Sequence, residues 1–259
     1  MKSSMAKLLI YIFKICLLSS ITTTFISCEP INTGNEEEEN KPAIIQLVVK
    51  TDEQMDVATR TVSETDIHDL HVLIYDNDGN LIGQKYQIGN RNIDVTTHSA
   101  NKCTIYVIAN SNKEDLFKGY NIHKADYLKE MVYNISGWNE LTDGNYLLMT
   151  GSKNDVNITT GDQTLSMTVN RIAAKITLNI GVKAGSGITI KDYTIHNLPL
   201  CSYYILRPLT TETAEDDTTI GEDAPSQTSD WGNSPVISLA AGTTSVNDRT
   251  FYMFENRRG

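Results

Sequence analysis

Apolar and polar residues alternate with a period of two along most of the chain. In "KCTIYVIAN", Cys103, Ile105, Val107 and Ala109 share one face, and Thr104, Tyr106 and Ile108 the other. That spacing predicts a strand, because successive side chains on a strand point to opposite sides of the sheet. "LHVLIYD" (Leu70 to Asp76) is apolar on both faces and predicts a strand covered on both sides. "DNDGNLIGQKY" follows it. Asp78-Gly79 between two apolar runs predicts a hairpin turn, both residue types tolerating positive φ.

"LSMTVNRIAAKITLNI" carries a change of phase. Leu165, Met167 and Val169 are apolar at odd positions; Ile172, Ala174, Ile176, Leu178 and Ile180 are apolar at even ones. A one-residue shift turns every side chain over. A bulge absorbs it, or the strand passes from one sheet or domain to another. A domain boundary is therefore expected at Asn170-Arg171. Strict alternation also places Ile105, Val107, Ile176 and Leu178 in the core. A short helix is expected near Lys124 to Val132. Leu209 to Ser234, rich in Thr, Asp, Gly, Pro and Ser, is expected to be a long exposed loop. The class is all-β, built of β-sandwiches.

The first residues differ from this pattern. Lys2 and Lys7 precede an apolar run, Leu8 to Leu18, broken by Lys14, and small and hydroxylated residues lead to Cys28. The uninterrupted apolar run is too short to span a bilayer, so residues 1–27 form a secretory signal. Cys28 at its end, preceded by Ser27, is similar to a bacterial lipobox, in which the cysteine is lipidated and becomes the first residue. Phe25 and Ile26 are bulkier than that pattern favours, and an ordinary signal with a chance cysteine is the alternative. Three lysines leave with the leader, which takes the net charge from −10 to −13. Such a chain repels nucleic acid and anionic membranes. Its hold on the outer membrane is expected through the lipid on Cys28. Residues 28–42, with "NEEEEN", form a solvated acidic tether.

Catalytic, cofactor and metal chemistry is absent from the expected sites. His68 and His71 are three apart on a strand-like run and point to opposite faces, so they do not share a metal. Asp76-Asn77-Asp78-Gly79-Asn80 lacks the oxygen ligand that a calcium loop places after its glycine; Leu81 follows. It is a turn. No phosphate loop, zinc pattern or nucleophile motif is present. Cys103 and Cys201 lie in or beside strand-like runs and are taken as buried free thiols, a disulfide between them being the alternative. Trp138, Trp231 and the tyrosines are core residues or a glycan platform. Side-by-side exposure of the two tryptophans would favour glycan binding.

Taken together, the leader to Cys28, "ATRTVSETDIHDLHVLIYDNDGNLI", "YVIANSN", "LLMTGS", "VNRIAAKITLNI" and "FYMFENRRG" resemble the FimA-type fimbrial subunits (type V pili) of Bacteroidetes, with their Mfa-like relatives. The acidic run after Cys28 is similar to the export tag of surface lipoproteins in that phylum. The resemblance implies two tandem transthyretin-like β-sandwich domains, expected at 43–170 and 171–259. It implies a non-enzymatic fimbrial or adhesin subunit at the cell surface, with a host or glycan ligand as a further partner. In the family an arginine-specific protease cuts after the first strand, and a donor strand from a neighbouring subunit fills the groove. The matching bond here joins Arg60 and Thr61, and the strand removed is "AIIQLVVK" (Ala43 to Lys50). Family stalk subunits continue past the "YMFEN" region, so the second domain is expected to be incomplete and the role accessory, tip or anchor-like. A surface glycan-binding lipoprotein of a nutrient-uptake system is the alternative.

Overall fold

The computed structural model describes residues 40–51, 65–137, 140–141, 146–205 and 231–254. Five strands come first: β1 (Pro42–Thr51), β2 (Asp69–Tyr75), β3 (Leu81–Ile88), β4 (Asn92–His98) and β5 (Ala100–Ala109). A short helix α1 (Ala125–Lys129) and strand β6 (Val132–Asn134) lead to β7 (Met149–Ile158), β8 (Gly161–Arg171) and β9 (Ala173–Gly181). Five two- and three-residue strands follow: β10 (Asp192–Tyr193), β11 (Leu198–Pro199), β12 (Cys201–Tyr203), β13 (Trp231–Gly232) and β14 (Ile237–Ser238). β15 (Ser245–Phe254) is the last. The described fold is all-β, as the alternation predicts.

Seven strands form one ladder in the order β3-β2-β5-β7-β8-β1-β4. Its two parts meet at only two rungs, Met149↔Arg171 and Thr150↔Asn170. Beyond them the ladder folds over into a sandwich. Gly151, in "LLMTGS", marks the fold: a Cβ there would run into the backbone oxygen of Thr168 on β8. Between the layers lie Ile45 and Leu47 of β1, Val72 of β2, Val95 of β4, Ile105 and Val107 of β5, and Val169 of β8. β5 therefore faces inward as its alternation predicts.

The two outer strands, β3 and β4, lie against each other, and side chains tie one backbone to the other. Lys85 Nζ donates to Asp94 O (2.8 Å), Gln87 Nε2 to Asn92 O (2.8 Å) and Thr97 Oγ1 to Ile82 O (3.0 Å). A Cβ on Gly83 would sit 3.1 Å from Thr96 O. The two edges, which would otherwise offer open hydrogen-bonding groups to other chains, close on each other.

All seven residues of β2 are buried. Its second face, with Tyr106 and Ile108 of β5, packs under Leu128 of α1 and under Leu116 and Ile122. The Tyr75 hydroxyl donates to Ile122 O (2.9 Å). Double burial is what the unbroken apolar run "LHVLIYD" required. The helix is shorter than expected, five residues, because the chain turns into β6 at Val132.

The turn between β2 and β3 is the expected hairpin, and within it only Gly79 has positive φ (73°). Asp76 organises the rest. Its carboxylate accepts from the backbone N–H of Asp78 (2.9 Å) and Asn80 (2.8 Å) and from Asn80 Nδ2 (3.0 Å to Oδ2). This Asx-type turn spares Asp78 the left-handed region and shifts the register between Ile74 and Tyr75.

The phase change falls where β8 ends. Met167 and Val169 point into the sandwich core, whereas Ile172 and Ala173 enter the second core with Tyr204 and Phe254. β9 leaves the seven-stranded ladder and pairs with β15. Short pairs β10–β14, β11–β13 and β12–β6 complete this part.

Three expectations fail here. Ile176 and Leu178 are half-buried, not core residues. β9 belongs to a two-stranded sheet, and among the described residues no second layer closes over that face. Cys103 is buried but Cys201 only half-buried, and no disulfide joins them. Most of the expected loop from Leu209 lies outside the described residues; at its end Trp231–Gly232 is a strand and Ser234 is buried, not exposed.

Candidate functional site

β1 comes first among the described strands yet lies inside its sheet. It runs parallel to β8, from Ala43↔Gly161 to Thr51↔Val169. It runs antiparallel to β4, from Pro42↔His98 to Val48↔Asn92. Ala43, Ile45, Leu47 and Val49 turn inward, each at most 2% exposed. At its start, Asn40 N–H donates to Ser99 O (2.8 Å), Lys41 N–H to Ser99 Oγ (2.9 Å) and Ser99 N–H to Lys41 O (2.7 Å). Burying Ile45, Leu47 and Val49 contributes about 1.5–3 kcal/mol each. Segment 52–68 is the one link between this strand and another described strand. Departure of β1 would open two hydrogen-bonding edges and the apolar core beneath. The residues expected to act on this strand, Cys28, Arg60 and Thr61, lie outside the described residues.

A second constellation uses the "YVIANSN" motif. Asp69, at the start of β2, is fully buried. Its Oδ1 accepts from Ser111 N–H (3.1 Å) and Ser111 Oγ (2.9 Å), and its Oδ2 from Asn112 N–H (3.0 Å). His68 Nδ1 stands 3.4 Å from Oδ2. Asn110 accepts from His68 N–H (2.7 Å) and donates to Asp66 O (2.9 Å) and Leu147 O (2.8 Å). Asn110 and Asn112 have positive φ, 64° and 53°, which Asn tolerates better than most side chains. The motif fastens the chain leaving β5 to the start of β2. Sequence reasoning missed this role; the signal was a pair of asparagines directly after a strand.

His71 and His68 have separate surroundings. His68 stacks on Tyr146 with centroids 5.1 Å apart. His71 is buried between Tyr86 (4.6 Å) and Phe117 (5.0 Å). Its Nε2 meets Lys113 O at 2.7 Å, so Nε2 carries the proton. Burial pushes the His71 pKa below 6.5; the hydrogen bond to Lys113 O and the charges of Asp69 and Glu114 oppose this without cancelling it. The folded ring thus resists the proton that the unfolded chain takes up. Its contribution to stability is complete above pH 6.5 and is lost as pH falls from there toward the folded pKa. We expect the melting temperature to drop between pH 7.5 and 5.5, and His71→Phe to flatten that part of the profile. An unchanged slope in the variant would assign the drop to other groups.

Among the described residues no group of three metal-ligating side chains occurs. None of their helices is long and apolar enough to cross a membrane. Trp231 is half-buried in β13, opposite Pro199. Trp138 lies outside the described residues.

The described residues form a two-layer β-sandwich whose first described strand lies inside its sheet. Residues 43–198 match the family of the major fimbrial subunit protein, FimA. The chain belongs to that family, whose members are fimbrial proteins of the cell surface. No curated protein matches it. Solved structures share the fold at low identity. A candidate cell adhesion protein from Parabacteroides distasonis has a TM-score of 0.57 at 19% identity, over 84% of this chain and 71% of that one. A fimbrilin (FimA) from Porphyromonas gingivalis has 0.52 at 16%, over 82% and 65%. The tip fimbrial protein Mfa3 from the same organism has 0.51 at 14%, over 84% and 69%.

Proposed function

We propose that this chain is a fimbrial or adhesin subunit, anchored to the outer membrane by lipid on Cys28, whose β1 is exchanged for a strand of another subunit after cleavage between Arg60 and Thr61. The observation that carries the reading is the place of β1: interior to its sheet, parallel to β8, antiparallel to β4, and joined to β2 by one segment that contains Arg60. An incoming strand finds one parallel and one antiparallel neighbour whichever way it runs. The ladder is therefore nearly indifferent to direction, and the alternating inward pockets select the sequence. The division into 43–170 and 171–259 belongs to the same proposal. It is supported by the end of the seven-stranded ladder at Arg171 and the separate pairing of β9. The two parts share the second core.

Native digestion of the membrane-bound protein with an arginine-specific protease tests this. We expect a stable fragment beginning at Thr61 that still holds β1 non-covalently, because ladder bonds and buried side chains outlast the cut. It should leave the membrane fraction once a competing strand peptide displaces β1. Resistance at Arg60 in folded protein, or a cut fragment that takes up no peptide, would overturn the exchange mechanism.

A further inference from the structure

A cleft of about 460 Å³ opens between β3 and the segment 113–123, apart from β1 and its neighbours. Its size lies in the range of small-molecule sites, about 300–1,000 Å³. His71 lines it. With Tyr86 and Phe117 against the ring and Nε2 donating to Lys113 O, the remaining polar atom is Nδ1, an acceptor with no partner among the described residues. The imidazole is 97% buried and held on three sides, yet no buried side-chain nitrogen or oxygen among the described residues lacks a partner, so Nδ1 is the ring atom that solvent reaches and a donor from outside can meet.

The other walls narrow the chemistry. Tyr120 is 56% exposed and offers a flat apolar face. Glu114 and Asp115 form no ion pair among the described residues and can accept hydrogen bonds. Lys85 and Lys118 balance their charge. A ligand with net charge would find both signs and gain little from either, and a fully apolar one would strip water from four charged groups without return. A neutral ring with an apolar face and several hydroxyl groups satisfies all of them: stacking on an aromatic, donation to a neutral imidazole, donation to carboxylates.

We propose that this cleft binds a neutral sugar of a glycan, with Tyr120 beneath the ring, His71 Nδ1 accepting one hydroxyl proton and Glu114 and Asp115 accepting others. Strand exchange is not needed for it, so either proposal can fail alone.

The test uses the full mature chain on an array of neutral oligosaccharides ending in glucose, galactose, mannose or N-acetylhexosamine. Sialylated and sulfated glycans stand beside them, and hits are measured by calorimetry. We expect neutral glycans to bind. Tyr120→Ala and the pair Glu114→Gln with Asp115→Asn should each weaken binding about tenfold or more, with the melting temperature unchanged because these side chains are exposed. His71→Phe should also weaken it, and its melting temperature separates lost binding from lost folding. No neutral glycan bound at millimolar concentration would overturn the proposal. So would binding confined to sialylated or sulfated glycans, or neutral binding that survives both surface variants.

Discussion

Leu47→Asp will abolish cooperative unfolding of the first sandwich, and a synthetic peptide spanning residues 42–51 will restore it. Leu47 is fully buried at the middle of β1, opposite Ile93 on β4 and Leu165 on β8. A carboxylate there has no partner among the apolar side chains that surround it, and the loss should exceed about 4 kcal/mol. In an ordinary sandwich this would end the matter. Here the damaged strand comes first among the described strands and lies between two intact neighbours, so a peptide can take its place in the ladder without any cut. β4 stays in place when β1 leaves, because Lys85, Gln87 and Thr97 bridge the β3 and β4 backbones. The slot then keeps its width and its pockets. Melting curves with and without peptide check this, with a control peptide carrying Ser at 45, 47 and 49. A native-like melt of the variant alone would show that the Leu47 pocket tolerates charge. Collapse without rescue would show that the slot does not survive the loss of its strand.

Alternation alone located β5 and its two faces, and the continuous apolar run of β2 announced burial on both sides. The change of phase at Arg171 was equally legible, since a strand cannot turn its side chains over without a break, and Ile172 is that break. Alternation shows which face of a strand is apolar; whether another layer covers it depends on distant chain. Ile176 and Leu178 show the limit: their face is apolar, but β9 has only β15 beside it. The turn at Asp78-Gly79 was legible as a turn. Its form was not, because the Asp76 carboxylate decides the geometry. The interior place of β1 could not be read from periodicity either: "AIIQLVVK" would alternate alike at an edge, and the family resemblance is what marked it out. The cleft was hidden for a further reason. His71 drew notice as half of an H-x-x-H pair, but its role depends on Lys113, 42 residues away, occupying Nε2 and leaving Nδ1 to solvent.

Asp69→Ala is expected to cost about 3 kcal/mol or more, although Asp69 touches neither β1 nor the cleft's open wall. Its two oxygens accept from Ser111 N–H, Ser111 Oγ and Asn112 N–H. Alanine leaves these donors beside a buried void, at about 1–3 kcal/mol for each one that water cannot reach. The costs will not add fully, because the donors are neighbours and the segment can shift. Asp69→Asn separates shape from bonding. Its amide oxygen can keep both Ser111 contacts, but its NH₂ then meets Asn112 N–H at the former Oδ2 position, donor against donor. It should cost less than alanine and more than nothing. Denaturant midpoints of the two variants give the comparison, and amide exchange at residues 110–118 gives the location. The segment Asp69 pins carries Glu114, Asp115 and Phe117, so its loss should free those amides first and weaken any ligand of the cleft with them. Equal stability of wild type and Asp69→Asn would mean that the Oδ2 contact adds nothing. Unchanged exchange in Asp69→Ala would mean that Asn110, through His68, Asp66 and Leu147, and His71, through Lys113 O, fasten the segment without it.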